Sequence, residues 1–143
     1  MSKTTDTDFD SPSVISHIEM LQGIIDRMGA NSSNCKNMAI ASIVGILALS
    51  QTVAWAKFMF CGIFVIILFV IDSMYLGLER NFKRQHNEFI EKIKEGKPVE
   101  PFVVESSKGK RLSLCGDGMR SWSTLLFYTL LLAGCAAVSF LVI

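Results

Sequence analysis

Asp72 is the one acid inside a long apolar run, and its type and place demand a physical explanation. A charge at such depth needs a partner, water or a proton. One reading makes it a gate or a proton site. The other places it near the cytoplasmic edge of a span, hydrogen-bonded to Tyr75 or paired with a base such as Arg80 or Arg120. The other reactive side chains do not assemble by spacing. His17 and His86 with Cys35 and Cys115 lack the spacing of metal ligands, so neither metal nor cofactor is expected. Cys61 and Cys135 lie in apolar runs, where cysteine behaves as a small hydrophobe. No C-x-x-C occurs, and a reducing compartment around Cys35 and Cys115 argues against a disulfide. Five residues separate Arg80 from His86, one too many for an R-x4-H ribonuclease pattern. There is no phosphate loop, nucleophile elbow or H-E-x-x-H. The expectation is a protein without enzymatic activity.

The elements that must position these residues are set by composition. Half of the 143 residues are hydrophobic, and the mean hydropathy is +0.41. Soluble domains of this size rarely reach that value. From Asn37 to Ile71 the only charged residue is Lys57, and from Ser121 to Ile143 there is none. An apolar run of about 18 residues is long enough to cross a bilayer as a helix. A soluble enzyme with its own core is therefore excluded, and the net charge of +1 gives no reason to expect nucleic acid as a partner. Ten of the 14 bases fall within residues 79–120. Basic segments beside spans stay in the cytoplasm. Two crossings before that segment and one after it put the N-terminus inside and the C-terminus at the outer face of a bacterial inner membrane. The first 36 residues are polar, with no cleavable leader pattern.

Six segments follow. Residues 1–10 read as a disordered tail. Residues 11–36 read as a cytoplasmic amphipathic helix and a hinge. Ser11-Pro12 is a helix start, and Val14, Ile18, Leu21, Ile25 and Met28 recur at spacings of 4, 3, 4 and 3, one apolar stripe. Asn31-Ser32-Ser33-Asn34 is the polar hinge, unless it stays helical and lengthens the span that follows. Residues 37–56 hold the first span and an outer turn, with Trp55 and Lys57 at the outer interface. Residues 57–96 read as one long helix whose stripe of Tyr75, Leu78, Phe82, Phe89 and Ile93 continues into the cytoplasm until Gly96 and Pro98 end it. The stripe on the N-terminal helix is its natural partner. Residues 97–120 read as a loop or a small β-hairpin turning at Lys108-Gly109-Lys110, with Leu112 and Leu114 alternating with polar residues. Residues 121–143 form the third span. The fold class expected is an all-α membrane protein with three transmembrane helices.

Two further groups stand out. Ala41 and Gly45, then Ala133, Gly134 and Ala137, put small residues on helix faces where backbones approach closely in lipid. Arg27 and Asn31 share a helix face, and with Glu79 and Arg80 at a similar level they suggest a polar network at the cytoplasmic membrane edge.

The runs from His17 to Ser32, HIEMLQGIIDRMGANS, and from Asp72 to Phe82, DSMYLGLERNF, resemble a group of small bacterial multi-pass membrane proteins. That group opens on I-x-R-M-x-x-N-S, continues through two spans and a D-x-x-Y-L-x-x-E-R-x-F segment, and ends on a span opened by tryptophan. Some of its members are similar to membrane proteins found beside anti-phage defence genes, including accessory proteins of RADAR-type systems. The resemblance implies a membrane effector of bacterial defence that oligomerises and opens a pore or disturbs the bilayer, with a soluble cytoplasmic defence protein as a partner. It implies no active site. The alternative is a membrane anchor that holds a soluble cytoplasmic protein.

Overall fold

The computed structural model describes residues 10–49, 54–104 and 111–141. They form four helices: α1 (Pro12–Leu49), α2 (Ala54–Lys94), α3 (Arg111–Met119) and α4 (Trp122–Leu141). There is no strand among the described residues. The tail at 1–9, the outer turn at 50–53 and the Lys108-Gly109-Lys110 turn lie outside them.

Helix α1 starts where the sequence places a start. The Ser11 carbonyl accepts the amides of Val14 and Ile15 at 3.1 Å, and Pro12 sits at the first helical position, where a missing N–H costs nothing. The stretch Asn31–Asn34 does not bend the chain away: α1 is one helix of 38 residues, so the hinge is helical and lengthens the apolar half. Helix α2 runs 41 residues, about 62 Å at 1.5 Å each. Gly96 terminates it with a φ of 67°. Its amide bonds the Ile93 carbonyl, and the Lys97 amide bonds the Lys92 carbonyl, both at 2.9 Å. These are the two hydrogen bonds of a Schellman cap, which needs a left-handed residue at that place.

The helices α1 and α2 lie antiparallel along their whole length. At one end Val14 packs with Phe89, Ile93 and Val99, flanked by Ile18. At the other end Ala39 and Ile43 of α1 meet Cys61, Val65 and Leu68 of α2, and Tyr128 and Cys135 of α4 complete the cluster. Tyr128 sits edge-on to Phe69, with ring centroids 5.4 Å apart. The second end is apolar outside as well as inside. Met38, Ile40 and Val44 of α1, Phe60, Ile63 and Ile66 of α2, and Leu126 and Leu130 of α4 are all exposed. Among the described residues one helix, α2, is long and apolar enough to cross a membrane. The apolar part of α4, Trp122–Val138, is shorter.

The segment before α4 departs from expectation. Leu112 and Leu114 lie on α3 rather than on a hairpin arm. The cause is packing against α2. A Cβ on Gly77 would run into the Leu114 carbonyl, and a Cβ on Gly118 would run into the Ser73 carbonyl. Two glycines, one from each helix, let α3 lie backbone to backbone on α2. Arg80 of α2 then donates to the Asp117 carbonyl at 2.7 Å, a cation on one of the unpaired carbonyls near a helix C-terminus.

Candidate functional site: a buried lysine–aspartate pair

Asp72 is fully buried, and its partners come from α1. Ser32 and Lys36 are one turn apart and share a helix face. The Lys36 ammonium stands 2.9 Å from Asp72 Oδ2 and 3.2 Å from Oδ1. It also donates to Ser32 Oγ at 3.1 Å, and that hydroxyl donates to Asp72 Oδ1. Three side chains thus close a ring of charge-assisted hydrogen bonds between two helices. The Lys36 side chain keeps 26% of its surface exposed, so it enters the site from the rim while the carboxylate is sealed. From α4, Tyr128 lies within electrostatic reach of Asp72. Its buried hydroxyl faces that carboxylate, while the buried hydroxyl of Ser73 has no hydrogen-bond partner among the described residues. Thr124, one turn before Tyr128, is buried too.

The expected partners of Asp72 are therefore corrected. Arg80 reaches toward α3, Arg120 is exposed, and Tyr75 is half-buried. The pair forms with Lys36 because antiparallel packing brings the polar rim of α1 level with the end of the apolar run of α2. Both charges sit where an apolar stretch meets a polar one, at the same height.

The structure does not gather Arg27, Asn31, Glu79 and Arg80 into one network. Glu79 pairs with Lys83 at 2.5 Å and packs against Gly29, where a Cβ would stand 3.6 Å from Glu79 Oε2. Arg27 is exposed and Asn31 half-buried. The stripe residues are brought together: Leu21, Phe89 and Ile93 are buried, while Ile18, Ile25, Met28 and Phe82 are half-buried. The small-residue faces are not used inside the chain. Ala41, Ala133, Gly134 and Ala137 are exposed, and a Cβ at Gly45 or Gly134 would meet nothing within 4 Å. The glycines that pack helices within the chain are Gly77 and Gly118, which spacing alone does not single out. Lys36 and Tyr128 are likewise unmarked by any motif, and Ser32 stands in the I-x-R-M-x-x-N-S run and the polar stretch after it with nothing to tie it to Asp72. The signal for the pair is a lone base and a lone acid, each where an apolar run meets a polar stretch.

The site is a sealed carboxylate with a lysine counter-ion, a serine hydroxyl and a buried phenol beside it. No family model, no curated protein and no solved structure matches the chain.

Proposed function

We propose that this chain is a non-enzymatic inner-membrane protein that crosses the bilayer three times, assembles with copies of itself and acts as a membrane effector. On activation its oligomer opens a path for ions between subunits or disturbs the bilayer. The observation that carries this reading is the outward position of the small-residue faces around Gly45 and Gly134, beside a bundle whose interior is filled. Ions have no route through the packed cluster of Ile43, Val65, Leu68 and Tyr128, so a conducting path has to lie between subunits. Close helix association in lipid uses such small-residue faces.

Three crossings follow if α2 spans, because the apolar halves of α1 and α4 pack along the same stretch of α2 and expose Met38, Val44 and Leu130 around it. The excess of Lys and Arg at 79–120 over the lone Lys57 supports a cytoplasmic N-terminus. The link to anti-phage defence rests on the family resemblance. The Lys36–Asp72 ring supports a closed resting state, since it ties α1 to α2 at the membrane edge.

The test is native mass in nanodiscs together with planar-bilayer conductance. A discrete oligomer of several subunits that conducts, and that loses both properties in Gly45→Leu or Gly134→Leu, is expected. A monodisperse monomer that never conducts overturns the reading. An anchor is the second reading, favoured by the long polar end of the α1–α2 pair, which continues well beyond the apolar end. It predicts a soluble protein in stoichiometric amount on that end, lost when Leu21 or Phe82 is replaced by Asp.

A further inference from the structure

His17 is 2% exposed and sits in the polar half of the α1–α2 pair, far from the lysine–aspartate ring. Its ring lies on Phe89 of α2, centroid to centroid 4.3 Å, and meets Phe102 edge-on at 6.2 Å. Its Nδ1 accepts the backbone N–H of Phe102 at 3.0 Å. An accepting Nδ1 places the proton of the neutral ring on Nε2. Phe102 is itself unusual: its φ is 66°, in the left-handed region that a residue with a Cβ rarely adopts and that costs free energy to hold. Its side chain is 59% exposed, so no burial of the ring explains the conformation. In that conformation its backbone N–H is held by His17. Val99, 2% exposed on the same segment, packs beside Val14 and Ile93 and gives the segment a second attachment.

We propose that His17 is a proton-sensitive latch: its neutral ring fastens the segment around Phe102 onto the α1–α2 pair, and protonation of Nδ1 lets that segment go. A protonated Nδ1 would turn an N–H toward the N–H of Phe102, so the bond is lost and a charge is left buried against Phe89. The strain at Phe102 then favours leaving. The titratable and charged groups that face the ring are Glu88 and Lys92 from α2 and Glu100 from the latched segment, which share with it a groove of about 340 Å³, and His86 of α2, which acts on it electrostatically. Burial, and after it the neighbouring His86, hold the His17 ring below the ordinary histidine value. The sign follows. Above about pH 6.5 the ring is neutral whether latched or free, and the latch is at full strength. As pH falls from there toward the lowered value, only the released form takes up a proton. The latch therefore weakens by about tenfold for each pH unit over that window. Residues 97–104 lead toward α3 and the third span, so acid would loosen the end of the chain segment that joins α2 to them.

The test is hydrogen exchange of the full chain in nanodiscs at about pH 7.5 and about pH 5.5, on either side of the ordinary histidine value. Rates are corrected for the intrinsic pH dependence of exchange. Protection of the Phe102 amide is expected to fall at the lower pH, by at most about tenfold, while amides in the middle of α2 keep theirs. His17→Gln keeps a side-chain oxygen as acceptor without a titrating group, and its Phe102 protection should be indifferent to pH. His17→Ala should be unprotected at both. Should either replacement fail to fold, the wild-type comparison with an imidazole nitrogen titration of His17 decides. Equal Phe102 protection at the two pH values, or a His17 ring that charges at or above the ordinary value, overturns the proposal.

Discussion

Lys36 and Asp72 show how a residue pair is priced by its surroundings. The carboxylate is sealed and the lysine side chain keeps 26% of its surface exposed, so the carboxylate is tolerated because the ammonium is there. Removing one partner of a buried pair costs about 3–5 kcal/mol, whereas replacing both by apolar side chains of similar volume is often neutral. Lys36→Met should therefore destabilise the protein by several kcal/mol, at the order of that range. Lys36→Met with Asp72→Leu should recover most of the loss. Asp72→Asn, which keeps the shape and an acceptor for Ser32, should fall between. Chemical denaturation in detergent micelles of all four proteins checks the order, and a double variant as unstable as Lys36→Met alone would show that the ring is not held by charge. If the ring also keeps the resting state closed, the double variant conducts without a trigger although it is stable. That separates a latch from a merely structural pair. Asp72 was legible from sequence because an acid in an apolar run is rare. Its partner was not, because the two lie 36 positions apart and only the antiparallel register of α1 and α2 brings them level.

At the scale of elements, the sequence speaks clearly where local chemistry decides. The Ser11-Pro12 start and the Gly96 stop use backbone rules that act within a few residues, and both hold in the structure. Replacing Gly96 by Ala forces a Cβ into a left-handed φ, and a loss of about 1 kcal/mol in unfolding free energy is expected. Helix α3 is the opposite case. Leu112, Leu114, Gly116 and Gly118 are poor helix evidence, since alternating leucines mimic a strand and glycine weakens a helix. What makes the segment helical is the contact that Gly118 and the facing Gly77 permit, so tertiary packing overrides propensity. Gly77→Ala and Gly118→Ala each push a Cβ into a backbone carbonyl of the facing helix. Backbone cannot swing aside as a side chain does, so each should cost about 3 kcal/mol, the upper part of the usual range for overpacking. Gly116→Ala, where nothing lies within 4 Å of the new Cβ, should be neutral or stabilising by its helix propensity. Thermal unfolding of the three variants tests this, and a Gly116→Ala loss equal to the other two would mean that α3 is sensitive to propensity rather than to the crossing.

For the whole molecule the question is how many times it crosses. By length and apolarity α2 alone qualifies among the described residues, but α1 and α4 cannot be treated as independent of it. The same contact that places Val14 beside Ile93 places Ile43 in one cluster with Cys61. A membrane around the exposed Phe60, Ile63 and Ile66 of α2 is therefore also a membrane around Met38, Val44 and Leu130. A protein crossing once through α2 would have to leave the apolar halves of α1 and α4 in water and dismantle the shared core. The two topologies differ in a measurable way. With three crossings Ser11 and Lys57 face opposite sides, whereas with one crossing they face the same side. In a variant whose four cysteines are replaced by Ala or Ser, Lys57→Cys should react with a membrane-impermeant maleimide added to intact cells, and Ser11→Cys should react only after the cells are opened. Opposite labels at these two positions would support three crossings, and the same label at both would leave α2 as the crossing that length and apolarity allow.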